Sequence, residues 1–281
     1  MPDPTHDYLT LLLDEYWFAP PVALWRAIEL RTLVGETFPR PILDLGCGDG
    51  LIAHAFLQGD PPIETGFDPW LDQVRKAPAT GAYGYVQQAL GDAMPYPNDT
   101  FGSVLSNSVL EHIPDLEPVL REVARVTRPG GRVFFTVPSD AFRHLLAGYR
   151  DRAAAGKLED AEAYATEIDT WLEHHRYPTP EDWGVMLGRV GLYLKRAVYY
   201  VSPDVMVLWD RANAAYGVRS GKGLPFYRWL ASPRLRSLGY QRWVKQWVVR
   251  ALGRRWRAAY AMDVPADGVG GGLLVVGEKI G

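Results

Sequence analysis

The chain has 281 residues, 47% of them hydrophobic and 22% charged, which is typical of a folded globular protein and not of a disordered one. Its single cysteine, Cys47, excludes a disulfide framework or a thiolate zinc cluster and fits a reducing compartment. The formal net charge is −3, but the segment from Arg219 to Met262 holds eleven Lys and Arg and no acid, so the rest of the chain stands at −14. This asymmetry indicates an anionic partner for the basic segment.

No stretch of the sequence reaches the roughly 18 uninterrupted apolar residues that a transmembrane helix needs. The first residues place two Asp ahead of a short apolar run and lack the basic start of a secretory signal. We therefore expect a cytoplasmic protein.

Helical and strand patterns alternate along most of the chain. The segment from Tyr8 to Leu33 predicts one or two helices, interrupted at Pro20-Pro21, and short apolar runs alternate with helical patterns from Pro41 onward. This alternation indicates βαβ units and a parallel sheet. The predicted strands are Ile42–Leu45, Ile63–Phe67, Tyr83–Ala89, Ser103–Ser106, Arg132–Val137, Leu192–Val201 and Leu273–Glu278. The predicted helices after Pro41 are Leu51–Leu57, Trp70–Ala77, Leu116–Val126 (followed by a turn at Pro129-Gly130-Gly131), Leu158–Leu172 and Pro180–Val190, the last capped by Thr179.

The strongest local signal is the stretch ILDLGCGDG, which starts at Ile42. Gly46 and Gly48 lack a Cβ, so the backbone there can turn sharply and approach a ligand closely. The glycine spacing differs from the G-x-G-x-x-G of dinucleotide-binding folds. The carboxylates of Asp44 and Asp49 would repel a pyrophosphate but suit an amine or a sulfonium. Taken alone, the loop also fits a plain tight turn between a strand and a helix.

Polar groups follow the next three predicted strands as well. Asp68 ends the second strand, where a carboxylate can accept two hydrogen bonds from a ribose diol. After the third strand, Asp92 can accept from an exocyclic adenine amine, with Ala93 or Met94 against the ring. The fourth strand leads into Asn107. Because ligands bind at the carboxyl ends of strands in an open parallel sheet, we expect these groups to share one ligand.

In combination, these stretches resemble the class I S-adenosylmethionine-dependent methyltransferases, in particular the small-molecule group with a DxGCGxG first motif. The matching segments are DLGCGDG, GFDP, GDAMPYPNDTFGSVLSNSVLEHI and LREVARVTRPGGRVFFTVPS, within about Pro41–Ser139. The resemblance implies a Rossmann-like α/β fold with a seven-stranded, mostly parallel sheet of order 3-2-1-4-5-7-6, helices on both faces and helical cap insertions. A dehydrogenase fits less well, on the glycine spacing and on the GDAMPY and LEHI segments.

The same resemblance implies S-adenosylmethionine as cofactor. Asp44 and the loop glycines would hold its methionine moiety, Asp68 the ribose, and Asp92 with the two residues after it the adenine. Asn107 would lie near the methyl group. The full predicted cofactor-binding set is Asp44, Gly46, Cys47, Gly48, Asp68, Pro69, Asp92, Ala93, Met94, Asn107 and Ser108.

Two long connections interrupt the core pattern and should project over the cofactor face. Together with the N-terminal helices, they are the expected substrate-side structure. The predicted organisation is an N-terminal helical cap segment at 1–40, the cofactor-binding core at 41–138, a cap insertion at 139–178, more core at 179–202, a basic aromatic insertion at 203–269 and the final core strand at 270–281.

The candidate catalytic residues are His112, His175 and Tyr177, with His174 beside them. His112 follows the fourth strand and could act as a base or as a structural histidine that caps its neighbouring element. The residues after the first insertion could face the acceptor, although one of two adjacent histidines is commonly solvated and the other packed. Related ubiquinone-pathway O-methyltransferases resemble the LEHI stretch and bind a divalent metal through two acids and a histidine. Because Ser108 stands where the first acid would be, we predict no metal.

The segment from Leu224 to Tyr260 interleaves tryptophans with basic residues. A helix from Gly239 to Leu252 would place apolar side chains on one face: Tyr240, Trp243, Val244, Trp247, Val248 and Ala251. Such a helix suits an anionic membrane surface, and it equally suits packing of the apolar face on the core with the arginines solvated. A nucleic-acid groove fits less well, because the rest of the chain is acidic.

The sequence therefore predicts a cytoplasmic S-adenosylmethionine-dependent methyltransferase, with a peripheral membrane contact through Arg219–Met262 as one option. The acceptor is expected to be a small or lipid-linked molecule methylated at O, N or C. The alternative is a non-catalytic cofactor-binding or membrane-associated protein that keeps the methyltransferase fold.

Overall fold

The computed structural model describes residues 6–216 and 241–280 and contains one seven-stranded sheet in the order β3-β2-β1-β4-β5-β7-β6. Its strands are β1 (Ile42–Leu45), β2 (Ile63–Asp68), β3 (Tyr83–Gln88), β4 (Phe101–Asn107), β5 (Thr127–Pro138), β6 (Leu192–Tyr200) and β7 (Gly272–Lys279). The pairings among β1 to β5 are parallel, and β7 runs antiparallel to both of its neighbours. The predicted fold class and strand order are confirmed.

Eleven α-helices lie within the described residues. They are α1 (Tyr8–Glu15), α2 (Pro20–Thr32), α3 (Leu51–Leu57), α4 (Leu71–Val74), α5 (Leu116–Val126), α6 (Phe142–Leu145), α7 (Ala147–Ala154), α8 (Leu158–Leu172), α9 (Pro180–Arg189), α10 (Pro203–Tyr216) and α11 (Gln241–Tyr260). The proline pair starts α2, where a proline needs no amide donor. A reciprocal capping box between Thr179 and Asp182 starts α9.

Most predicted bounds agree to within two residues, and two elements before β6 differ by more. The helix expected at Trp70–Ala77 ends at Val74 and is followed by a 3₁₀ turn, Ala77–Thr80, in which Pro78 lacks the amide that a continuing helix would use. β5 begins five residues before the predicted Arg132 and includes the expected Pro-Gly-Gly turn. Its register against β4 shifts there, so that segment is a bulge within the strand.

Both faces of the sheet are covered, so the central strands β1 and β4 are buried along almost their whole length. Val104 and Phe135 point to the face on which α5 and α9 pack, with Val123 and Trp183 in that core. Leu105 and Phe134 face the other core, which includes α1, α2 and the helices of the two insertions. The carboxyl ends of β1, β2 and β4 line a cavity at this edge of the sheet.

The long helix α11 packs beside α1. Trp256 is buried in their shared core, and Arg257 donates hydrogen bonds of 2.7 and 2.6 Å to the two carboxylate oxygens of Asp7. Lys245 lies 2.7 Å from Asp14, so ion pairs tie the two helices at both ends of α1. The first two residues of the helix predicted from Gly239 fall outside the described residues. α11 itself continues past the predicted end to Tyr260.

The apolar face predicted for this helix is divided between core and surface. Val248 packs on the core, whereas Trp243 and Trp247 are 79% and 70% exposed. Arg250 and Arg254 adjoin those two tryptophans along the same exposed groove. Within residues 6–216 and 241–280, no helix combines the length and the apolar character needed to cross a lipid bilayer.

Candidate active site

A cavity of about 510 Å³ lies at the carboxyl ends of β1, β2 and β4, within the 300–1,000 Å³ typical of ligand pockets. Its lining includes predicted cofactor-binding residues and also residues of the N-terminal helices. From the predicted set it contains Asp44, Gly46, Cys47, Gly48, Asp68, Asn107 and Ser108. The sequence prediction that several strand ends serve one site agrees with this placement.

The glycine loop between β1 and α3 has the conformation that its glycines were expected to allow. Gly46 has φ +79°, and a Cβ there would lie 2.5 Å from a Val109 methyl group. Gly48 has φ +54°, and a Cβ on this residue would meet no atom within 4 Å, so its open side forms part of a cradle. Two hydrogen bonds fix the loop to the neighbouring strand β2: the amides of Gly46 and Cys47 donate to the Phe67 carbonyl at 2.9 and 3.0 Å.

Asp44 forms the floor of this cavity. The carboxylate is buried, and Tyr83 donates a hydrogen bond of 2.6 Å to its Oδ2. Burial raises the pKa of Asp44 to about 6, against the lowering effect of the Tyr83 hydrogen bond. Burial also raises the pKa of the neighbouring Cys47 thiol, so that side chain is a packed, neutral group.

Asp68 lies where the first cavity meets a second cavity of about 520 Å³. Its Oδ2 accepts from the Gly48 amide at 3.0 Å and its Oδ1 from the Trp70 amide at 2.8 Å. Each carboxylate oxygen keeps a second lone pair for a ligand hydroxyl. The indole of Trp70, which the sequence prediction did not include, is exposed at this junction.

The predicted adenine residues are placed unequally. Pro69 and Asp92 line the second cavity. Met94 is buried in the core with its amide donating 2.8 Å to Glu122, and neither it nor the exposed Ala93 belongs to the lining of either cavity.

The charge of the site fits a cationic ligand. Among the described residues, Asp44, Asp49 and Asp68 have no ion-pair partner, although all three line the first cavity. The open cradle at Gly48 and these uncompensated carboxylates suit a small molecule with an ammonium or sulfonium group, which is the chemistry of S-adenosylmethionine.

Helix α2 contributes a charged pair that the sequence analysis missed. Arg26 donates 2.7 Å to Glu29, which is fully buried, and Ser108 donates 2.6 Å to the other oxygen of Glu29. Ser108 itself has φ +49° at the end of β4. The spacing Arg-x-x-Glu on a helix was the available signal, but nothing in the sequence showed that this face points at the sheet.

A third cavity, of about 160 Å³, adjoins the first beneath the two insertions. Four large aromatic side chains line it: Trp25, Phe142, Trp171 and Trp209. It shares four lining residues with the cofactor-side cavity: Val22, Arg26, Ser108 and His112. The two cavities are therefore neighbours across a narrow set of side chains.

Glu111, His112 and His174 form the polar end of this aromatic cavity, with one possible ligand atom from each within 4.8 Å of the others. Burial raises the pKa of Glu111 to about 8. Burial also lowers the pKa of His112, and it lowers that of His174 to about 3, so both imidazoles are neutral.

The candidate catalytic residues separate in the structure. His112 lines the cofactor-side and the aromatic cavities, whereas the His175 side chain is exposed and its amide donates 2.9 Å to the Glu111 carbonyl. Tyr177 stacks on Phe142 and donates 2.5 Å to Asp169. Of the two adjacent histidines, His174 is the one in the cavity.

Comparison with known proteins shows which family the chain belongs to. A family model described as a methyltransferase domain matches residues 43–135. An uncharacterized methyltransferase of Mycobacterium tuberculosis (strain ATCC 25177 / H37Ra) is 32% identical over 189 residues, which cover 66% of this chain and 68% of that protein. The chain belongs to the class I S-adenosylmethionine-dependent methyltransferases of the type 11 group.

Other similarities differ in extent. An uncharacterized methyltransferase of Mycobacterium sp. (strain JLS) is 35% identical over 108 residues, so the alignment spans only 41% of that relative. The crystal structure of a possible histamine N-methyltransferase from Thermotoga maritima superimposes with a TM-score of 0.55 at 13% identity, covering 96% of this methyltransferase and 99% of that chain. This second likeness concerns the fold alone.

Proposed function

We propose that this methyltransferase binds S-adenosylmethionine in the cavity at the glycine loop and methylates a small or lipid-linked acceptor held in the aromatic cavity. The single observation that carries the proposal is the contact between the two cavities, which share Arg26, Ser108 and His112. A methyl donor on one side and an acceptor on the other would meet at these residues.

The residues around the first cavity would divide the cofactor among them. Asp44 and the carbonyl oxygens of the glycine loop would accept from the methionine ammonium group, and Asp68 would accept from the ribose hydroxyls. Asp92 and Pro69, with the indole of Trp70, enclose the adenine. When bound, the cofactor supplies an electrophilic methyl group on a sulfonium.

The protein's own contribution would be orientation and exclusion of water. Aligning the nucleophile with the methyl group can contribute about 7–11 kcal/mol to lowering the barrier. Glu29 holds Ser108 in place at the junction, and Arg26 neutralises Glu29. His112 is the predicted catalytic residue best placed to meet the acceptor's nucleophilic atom, because it alone of the three lines both cavities.

The aromatic walls indicate the kind of acceptor. A dry cavity of about 150 Å³ accommodates a benzene-sized ring, and this one is close to that size. Its apolar rings would take an aromatic or isoprenoid-like head, while the polar end at His112 and His174 would receive the reacting group. A longer tail would have to leave the cavity toward the insertions.

The proposal is tested by incubating the purified protein with S-adenosylmethionine and fractions of a cell extract, and measuring S-adenosylhomocysteine. Acceptor-dependent production of S-adenosylhomocysteine is the expected result. Calorimetric binding of S-adenosylhomocysteine with no turnover on any fraction would favour the alternative, a cofactor-binding protein that is not catalytic.

We also propose that the exposed stripe of Trp243, Trp247, Arg250 and Arg254 on α11 contacts an anionic lipid surface, where a lipid-linked acceptor would reside. Indole rings favour the membrane interface, and arginines favour anionic headgroups. The stripe spans three turns of one helix face and is not used in packing on the core. Five of the eleven basic residues of the segment, from Arg219 to Arg236, lie outside the described residues.

A further inference from the structure

Glu111, His112 and His174 come together from two separate parts of the chain. Glu111 and His112 lie in a 3₁₀ turn, Leu110–His112, which begins three residues after the end of β4, and His174 follows α8 of the first insertion. Their possible ligating atoms lie within 4.8 Å of one another, and Nε2 of His112 is 3.9 Å from Oε1 of Glu111.

Hydrogen bonds outside the cluster fix the tautomer of both imidazoles. Nδ1 of His112 lies 3.2 Å from the Glu173 carbonyl oxygen, which can only accept, so this Nδ1 carries the proton. Nδ1 of His174 lies 3.0 Å from the Tyr177 hydroxyl oxygen, whose own proton is donated to Asp169. His174 is therefore also protonated at Nδ1.

This leaves the Nε2 lone pair of each imidazole available. Metal-binding histidines in proteins show the same arrangement, with one nitrogen on the metal and the other donating to a carbonyl or to a carboxylate-linked group. In this protein, Nδ1 of His174 donates to the Tyr177 hydroxyl, which in turn donates to Asp169. Nδ1 of His112 donates to the backbone carbonyl of Glu173.

Glu111 supplies an independent indication of a missing partner. Its side chain is 3% exposed and lines the aromatic cavity. Among the described residues, no donor lies within hydrogen-bond distance of its buried Oε2. A buried carboxyl oxygen without a partner is costly, so such atoms are normally satisfied by a water, an ion or a ligand.

We propose that Glu111, His112 and His174 bind a divalent transition-metal ion at the boundary between the cofactor-side and the aromatic cavities. Two imidazoles and one carboxylate favour Zn²⁺ or a similar ion over Mg²⁺ and Ca²⁺, which prefer oxygen ligands. Four-coordinate ligands bound at about 2.0–2.2 Å stand about 3.3–3.6 Å apart, so these atoms, which lie within 4.8 Å of one another, must approach by up to about 1.5 Å when the ion binds.

Ser108 is not needed as a ligand in this arrangement. The sequence prediction of no metal depended on the serine at that position, but the first insertion brings His174 to the cluster instead. Three protein ligands leave a position open, as in catalytic zinc sites. His112 also lines the cofactor-side cavity, so the ion would lie next to the cofactor.

The site also specifies an acceptor class, and this part depends on the function proposed above. An ion at the polar end of the aromatic cavity would hold an acceptor through an oxygen atom. A bound hydroxyl loses its proton to water more readily, because the ion stabilises the negative oxygen. That oxygen then forms the bond to the methyl carbon, while the electron pair of the breaking C–S bond returns to sulfur. The acceptor is thereby an alcohol or phenol.

Metal binding is measured on the full chain after treatment with a chelator, by calorimetry with Zn²⁺ and by visible absorption with Co²⁺. We expect one ion per chain and a Co²⁺ spectrum of low coordination number. His174→Ala and Glu111→Gln should lose this binding, and Tyr177→Phe should weaken it about tenfold through the outer hydrogen bond. His175→Ala is the matched control, because that neighbouring imidazole is exposed, and it should bind as the wild type does.

Equal Zn²⁺ affinity in the wild type, His174→Ala and Glu111→Gln would overturn the proposal, as would absence of binding at millimolar Zn²⁺. His112→Ala, which changes a partly exposed side chain, serves if either of the first two variants does not fold. Metal binding is measured without an acceptor present. A failure of the metal proposal can therefore be distinguished from a failure of the proposed methyltransferase function, which the turnover assay tests. Full turnover of the acceptor in the presence of a chelator would overturn the oxygen-acceptor part alone.

Discussion

The hydroxyl of Tyr83 donates a hydrogen bond of 2.6 Å to Oδ2 of Asp44, so a neutral group, and not a cation, supports the carboxylate beneath the glycine loop. Burial raises the pKa of Asp44 to about 6 from its ordinary value of 3.8. Between about pH 4 and pH 6, the carboxyl of Asp44 is therefore protonated in the folded protein and ionised in the unfolded chain. This group favours folding at the acidic end of that window, and its contribution is lost as the pH rises through 6.

We expect Asp44→Asn to stabilise the cofactor-free protein at pH 7.5 by up to about 3 kcal/mol, since the cost of the buried charge disappears. The same change should weaken S-adenosylhomocysteine binding at least about tenfold through the loss of a charged acceptor. Thermal unfolding at pH 5 and 7.5, with calorimetry at pH 7.5, measures both effects. The exposed Asp72→Asn is the control, and a lower unfolding temperature for Asp44→Asn at pH 7.5 would contradict the argument.

Cofactor affinity of the wild type should also fall as the pH drops below about 6, because a protonated Asp44 no longer attracts the methionine ammonium group. Calorimetric titrations with S-adenosylhomocysteine between pH 5 and 8 give this profile. The decrease should be absent from Asp44→Asn, whose affinity is low throughout. An identical pH profile in the variant would assign the titration to another group.

Asp68→Ala should weaken S-adenosylhomocysteine binding by about 1–3 kcal/mol, because ribose hydroxyls would be left without their charged acceptor. Asp68 also accepts from the amides of Gly48 and Trp70, one on each carboxylate oxygen, so thermal unfolding of Asp68→Ala is measured alongside to separate loss of the ligand contact from loss of loop support. Asp72→Ala, four residues along and exposed, is the matched control. Unchanged affinity in Asp68→Ala would remove the ribose role.

Gly46→Ala tests the loop conformation. A residue with a Cβ at φ +79° is strained by about 1–3 kcal/mol, and the new methyl group would overlap Val109. We expect lower thermal stability and loss of cofactor binding. Gly188→Ala in α9 has open space and an ordinary helical backbone, so it should leave binding intact and stabilise by about 0.4–1 kcal/mol. Equal behaviour of the two variants would show that the loop tolerates side chains.

The stripe on α11 predicts selective membrane binding. Flotation with anionic vesicles should recover the wild type, and neutral vesicles should recover little of it. The double variant Trp243→Ala and Trp247→Ala should lose the binding, whereas Trp70→Ala, which removes an exposed indole elsewhere, should keep it. Weak and equal recovery with both vesicle types would exclude the contact.

Much of the sheet could be predicted because the strands are short runs rich in apolar residues, and the first four are followed by a polar group; both are local properties. The glycine loop and Asp68 were found in the same way, since their roles depend on neighbours a few residues apart. Trp70 lacked such a signal, because an exposed indole after a strand looks the same in the sequence as one in a core.

The acceptor side could not be predicted to the same extent, since it depends on how distant segments approach each other. Two adjacent histidines are equivalent in the sequence. In the structure, the chain turns at the left-handed residue Glu173 at the end of α8, and His174 faces the cavity while His175 is exposed. Likewise, the helical period groups Trp243 with Val248, but the position of α1 decides that Val248 is covered and Trp243 is not.

The place of β7 between β5 and β6 affects how the protein can be made. Within the described residues, β7 is the only strand that pairs with β6. On a translating ribosome, β6 must wait for about 70 further residues before it gains a hydrogen-bonded neighbour. Until then, one edge of β5 is open to any extended peptide, so a chaperone that shields strand edges should matter more for this chain than for one whose strands pair in the order of synthesis.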